Sequence, residues 1–184
     1  MPEYRRAFIP GGTYFFTVVA HERRPFLTSD LGRSTLRAAR RFVQERRPFN
    51  TQAFCLLPDH LHCVWTLPSG DAGYPERWQM IKSRFSRTYL AAGGEDGSRN
   101  PSRLRRREAA LWQRRYWEHA IRDEGDFARH IDYIHYNPVK HGLVTRPADW
   151  PWSTFHRFVA EGGYDITWGA APPAHALDLD WPSE

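Results

Sequence analysis

The chain has 184 residues, of which 41% are hydrophobic and 26% charged, and its formal net charge is +5. That length suffices for one domain with a buried core, and the composition excludes wholesale disorder. No apolar run approaches the roughly 18 residues of a membrane span, and MPEYRRAFIPGG lacks the apolar core of a signal peptide, so a cytoplasmic protein is expected.

All but Lys82 and Lys140 of the 26 basic residues are arginine. Guanidinium groups grip phosphate bidentately and stack on bases, which with abundant aromatics points toward nucleic acid; codon bias in a GC-rich genome is the competing explanation. Cys55 and Cys63 lack the paired spacings of a zinc site and read as reduced core thiols.

In chain order, residues 13–20 (TYFFTVVA) are β-branched and aromatic and form a first strand after Gly11-Gly12. Ser29 or Asp30 caps a first helix that keeps apolar spacing to about Arg46, and Pro48 stops it. Residues 51–57 and 60–67 are two strands around a Pro58-Asp59 turn. A second helix covers about residues 74–90, with Trp78, Ile81, Phe85 and Tyr89 inward and Arg77, Lys82, Arg84 and Arg87 largely outward. Residues 93–107, GGEDGSRNPSRLRRR, have no sustained period and read as a flexible basic loop. A fourth strand at 116–122 and a third helix at 124–136, ended by Asn137-Pro138, follow. This order predicts an α+β fold, a ferredoxin-like antiparallel sheet with helices on one face. Residues 1–149 form the catalytic domain, and residues 150–184, rich in Trp and Pro, an irregular tail.

Side chains two apart in a strand share a face, so His60 and His62 project together while Leu61 joins Cys63, Trp65 and Leu67 in an apolar stripe. Two imidazoles so placed can reach one divalent ion. In the third helix, at about 100° per residue, Phe127, Ile131 and Ile134 make a core stripe, and His130, Tyr133 and Asn137 a second arc. Tyr133 and Asn137, one turn apart, suit a nucleophile and a third metal ligand. On residues alone the structural reading is the stronger one, in which Tyr133 covers the core edge and Asn137 caps the helix. Tyr116 and Tyr136 are rival nucleophiles by type, but they leave that arc.

Several segments resemble the REP-associated tyrosine transposases, a branch of the HUH single-tyrosine transposases. They are EYRR (3–6), GGTYFFTV (11–18), LPDHLHCVWTLP (57–68), YWEHAIRD (116–123), HIDYIHYNPVKHGLV (130–144) and DWPWSTFHR (149–157). The resemblance covers most of the chain outside residues 93–107, which look longer and more basic than the family's usual link there. It maps the metal-binding histidines onto His60 and His62, the third ligand onto Asn137 and the nucleophile onto Tyr133.

The implied activity is metal-dependent nicking and rejoining of single-stranded DNA at hairpins of repetitive extragenic palindromes, through a 5′-phosphotyrosine. Magnesium or manganese is the expected ion, and no nucleotide cofactor is required, since no phosphate-cradling glycine loop opens a helix. The implied setting is the nucleoid, as monomer or homodimer. Candidate DNA contacts are Tyr4, Arg5, Arg6, Arg84, Arg87 and Lys140. The rival functions are a non-catalytic single-strand-binding module using an open RNA-recognition-like sheet, a metal-dependent hydrolase without a covalent intermediate, and a domesticated endonuclease that no longer transposes.

Overall fold

The computed structural model of the chain describes residues 7–171, so Tyr4, Arg5 and Arg6 lie outside the described residues. Four strands, β1 (Thr13–Val19), β2 (Asn50–Leu56), β3 (His60–Thr66) and β4 (Trp117–Ala120), form one sheet in the order β2-β3-β1-β4. Every neighbouring pair is antiparallel. Strands β1 and β2 therefore run the same way on either side of β3, as β3 and β4 do around β1, and each such pair needs a crossover. Helices α1 (Asp30–Arg46) and α2 (Tyr74–Ala91) supply them. Right-handed crossovers put both helices on one face, the ferredoxin-like arrangement expected from the sequence.

Local chemistry sets the helix ends. The Ser29 hydroxyl accepts from the Gly32 amide at 3.0 Å and caps α1. Gly32 itself is required by close approach, because a Cβ there would meet the Phe26 carbonyl oxygen at 2.3 Å. Leu36, Ala39 and Val43 of α1 and Trp78, Ile81 and Phe85 of α2 pack on Tyr14, Phe16, Leu61, Cys63 and Trp65. The Trp65 and Trp78 rings stack at 4.2 Å between centroids. The periodicity reading holds for these residues but fails at Arg77, which is fully buried. Its guanidinium bonds both Asp71 carboxylate oxygens and the carbonyls of Arg47, Pro48 and Gly73, tying the start of α2 to the end of α1. Arg77→Ala is expected to lower unfolding stability by about 3–5 kcal/mol, read by urea denaturation, because these acceptors lose their donor inside the protein.

The last long helix, α4 (Glu124–Lys140), follows completion of the sheet and takes the opposite face, with Ile131, Tyr133 and Ile134 against Phe15, Ala53, Cys55 and Val64. Strand β3 is thus buried on both faces. Asp123 caps α4 through its Oδ1, which accepts from the Asp126 amide at 2.7 Å.

Three further sequence expectations are corrected. Pro138 does not end α4, which runs on to Lys140; in the last turn a missing N–H costs one bond, and the Pro138 carbonyl still accepts from the Leu143 amide. Residues 93–107 are not simply a loop: they contain helix α3 (Pro101–Arg106), capped by Asn100 and begun by Pro101. That segment is pinned by the buried Arg103 guanidinium on the carbonyls of Ala109 and Trp112, and by Asp96 accepting from the Ala110 amide. The described part of the tail is likewise more ordered than expected. Leu56 donates to the Trp152 carbonyl and Thr154 to the Phe54 carbonyl, covering the β2 edge. Helix α5 (Phe155–Ala160) follows.

Candidate active site

Strand β3 and helix α4 bring the expected residues together on one face of the sheet. His60 and His62 are buried with ring centroids 4.8 Å apart, and the Tyr133 ring lies 5.2 Å from that of His62. Asn137, one turn beyond Tyr133, is fully buried. Its amide oxygen and nitrogen, and Nε2 of His60, have no hydrogen-bond partner among the described residues. A buried amide left so costs on the order of 1–3 kcal/mol, which a bound ligand offsets.

The other ring nitrogens are held from behind. Nδ1 of His60 lies 2.6 Å from Asp59 Oδ1, and Nδ1 of His62 lies 2.9 Å from Thr17 Oγ1. Ligation of an ion would therefore fall to the two Nε2 atoms, the usual arrangement of a metal-binding histidine whose second nitrogen is fixed by an oxygen. Burial alone would raise the Asp59 carboxyl, but the hydrogen bonds and charges of His60 and Arg23 outweigh it and hold it at about 2. Arg23 reaches Asp59 at 2.8 Å from a short turn in which Glu22 and Arg23 both adopt positive φ, 55° and 49°. Such backbone costs energy for residues with a Cβ and persists where surrounding bonds determine it.

Two further side chains complete the surroundings of Tyr133 and His60. Lys140 Nζ lies 4.8 Å from the Tyr133 ring centroid. The exposed His141 ring lies 5.0 Å from that of His60. Of the expected DNA contacts, Lys140 therefore joins the site. Arg84 stacks on Phe42 at 3.5 Å, and Arg87 is exposed, both on the far face of the sheet. Of the rival nucleophiles, Tyr116 packs against the α1–α2 core and Tyr136 is buried in contact with Trp168.

A second cluster, which the sequence reading did not find, gathers His119 of β4 with Asp126 and His130 of α4. Their ligand atoms all lie within 4.8 Å of one another, so this group too could hold a metal ion. Its carboxylate is already engaged by His119 Nε2 at 2.8 Å, the Arg122 amide at 3.0 Å and Arg122 Nε at 3.2 Å. His130 Nδ1 donates to the Asp126 carbonyl at 2.7 Å, and burial lowers the His130 pKa to about 4. The His119–Asp126 bond also fastens α4 to β4.

Asp59, Thr17 and His141 were the residues that sequence reasoning missed around the histidines. His141 continues the spacing of four from Tyr133 and Asn137, a signal hidden by reading Pro138 as the helix end. Asp59 had been absorbed into a turn.

Strand β3 thus carries the His-hydrophobe-His motif opposite the helix that bears Tyr133. No family model matches the chain. An Escherichia coli (strain K12) REP-associated tyrosine transposase is 46% identical over 169 residues, 91% of each chain. A Haemophilus influenzae relative under the same family name is 44% identical over 94% of this chain and 96% of its own. The solved structure of a REP-associated tyrosine transposase bound to a REP hairpin superposes with a TM-score of 0.76 at 43% identity, covering 95% of this chain and 96% of the other. The chain belongs to the REP-associated tyrosine transposases.

Proposed function

We propose that this transposase nicks and rejoins single-stranded DNA beside hairpins of repetitive extragenic palindromes, with Tyr133 as nucleophile and a divalent ion held by His60, His62 and Asn137. The observation that carries the reading is that Nε2 of His60 and the Asn137 amide are buried without hydrogen-bond partners among the described residues, Asn137 lying on α4 one turn from both Tyr133 and His141, whose rings meet those of His62 and His60. The hairpin bound by the solved relative supports the substrate class. A mixed nitrogen and oxygen donor set suits magnesium or manganese in phosphate chemistry. When bound, such an ion neutralises charge on a non-bridging phosphate oxygen.

The protein's own groups do the rest. Burial of Tyr133 between His62, Phe15 and Lys140 fixes its ring, so that alignment with phosphorus costs little further entropy. The Lys140 ammonium, 4.8 Å from the Tyr133 ring centroid, places positive charge beside the residue that meets the anionic phosphate. The Tyr133 oxygen bonds to phosphorus, the bond to the 3′ oxygen breaks, and that oxygen takes up the proton given up by the phenol. A 5′-phosphotyrosine and a free 3′-hydroxyl result, and attack by another 3′-hydroxyl reverses the step. Because the transesterification conserves bond energy, no nucleotide cofactor is needed. The non-catalytic alternative asks for an open sheet on which bases stack. Here α4 and the tail cover one face and α1 with α2 the other, leaving Phe15, Phe16, Val64 and Trp65 inaccessible.

The test is incubation with a single-stranded hairpin oligonucleotide and manganese or magnesium. A protein–DNA adduct that survives denaturation and disappears with chelator is expected. Absence of adduct across a panel of family-type hairpins, despite tight binding, would move the reading to a binding module. Asp59→Asn is expected to weaken manganese affinity about 10–100-fold, measured by titration calorimetry, because the ring of His60 loses its anionic partner.

A further inference from the structure

A groove of about 780 Å³ runs between α2 and α3, on the face of the sheet away from Tyr133. Seven lysine and arginine side chains line it against one carboxylate, that of Glu108. With Asp96, the ion-pair partner of Arg99, set against them as well, the excess equals the +5 of the entire chain, so the remainder of the molecule is close to electrically balanced and the positive potential is concentrated here.

The groove is built rather than incidental. Helix α2 contributes Lys82 and Arg87 to one wall, and α3 with its C-terminal turn contributes Arg106 and Arg107 to the other. The α3 wall is held by the buried Arg103 and by Asp96, as described above. Arg87 and Arg107 are both exposed and form no side-chain hydrogen bond or ion pair among the described residues, so their forks are available to a ligand. Guanidinium pairs match phosphate oxygens in shape and charge, and Tyr116 adds an aromatic wall of the kind that accompanies nucleic-acid backbones.

The rim of the groove is tied to the end of the sheet where the histidines lie. Gln113 on its rim donates to the Val19 carbonyl, and Val19 pairs with His60. From Tyr116 on the groove wall the chain enters β4, the edge strand of the sheet, at Trp117. We infer that the α2–α3 groove binds the sugar-phosphate backbone of the same DNA molecule that reaches Tyr133, the strand passing around the β4 edge of the sheet. This rests on the proposed function for the identity of the DNA, and it gives residues 93–107 a role in substrate grip.

The test uses Tyr133→Phe protein, so that binding is read without turnover, and a fluorescent hairpin oligonucleotide with single-stranded flanks titrated over a salt series. Adding Arg87→Glu and Arg107→Glu is expected to weaken binding at least about tenfold and to reduce the slope of log affinity against log salt by about 1.5, for two lost phosphate contacts. Arg87→Lys with Arg107→Lys should keep most of the slope. Arg37→Glu with Arg41→Glu, an equal charge reversal on the exposed side of α1, should cost much less. Unchanged affinity and slope in the groove variant, or equal losses at the two sites, would overturn the inference. Adduct formation reports separately on the chemistry: a protein that forms no adduct but loses binding in the groove variant would refute the nicking function and leave the groove standing.

Discussion

Tyr133→Phe is expected to abolish covalent capture of DNA and to slow nicking by a factor on the order of 10⁴–10⁶, while hairpin affinity stays near that of the unaltered protein. The substitution removes one oxygen and keeps the ring that packs against Phe15 and His62, so the fold and the α4 contact with the sheet persist. Loss of chemistry without loss of binding separates a nucleophile from a residue that only covers the core edge. Tyr116→Phe and Tyr136→Phe, whose rings lie in the α1–α2 core and against Trp168, should retain the adduct.

Joint replacement of His60 and His62 by alanine is expected to cost about 10³-fold or more in nicking rate, since the loss of transition-state charge neutralisation is worth several kcal/mol. Both rings are buried, so thermal unfolding should be compared first; manganese titration then reads the site directly. This pair also decides between the two groups of candidate ligands. With the ion on His60, His62 and Asn137, His119→Ala with His130→Ala should retain manganese binding at the His60 site and lose stability, because the His119–Asp126 bond between β4 and α4 and the His130 bond within α4 are both lost. If nicking survives loss of His60 and His62 but not of His119 and His130, the ion belongs to the second group.

Much of the geometry was legible because it follows from local periodicity. The period of two in HLHCVWT placed His60 and His62 on one face and Leu61, Cys63 and Trp65 on the other, and the structure keeps that division. The spacing of four joined Tyr133 to Asn137. What escaped depended on contacts between distant segments. Arg77 looks like a solvated helix arginine until the Pro48 and Arg47 carbonyls are brought to it by the α1–α2 packing. Helix α3 is too short for a periodic signal and is held by side chains bonding backbone, with Asn100 as its cap and Pro101 as its first residue. Pro138 was weighed by its usual effect inside a helix, although in the final turn it forfeits little, and the residues beyond it, Lys140 and His141, were therefore not placed beside Tyr133 and His60. The opposite face taken by α4 is likewise a tertiary outcome: both faces of a central strand need cover, and α4 with the tail supplies the second.

The most direct measurement is the identity of the residue bearing DNA. After reaction with a hairpin oligonucleotide and manganese, nuclease trimming and proteolysis, tandem mass spectrometry of the modified peptide should place a nucleotide 5′-phosphate on Tyr133. A nucleotide on Tyr116 or Tyr136, or cleaved DNA with no modified peptide at all, would contradict the account.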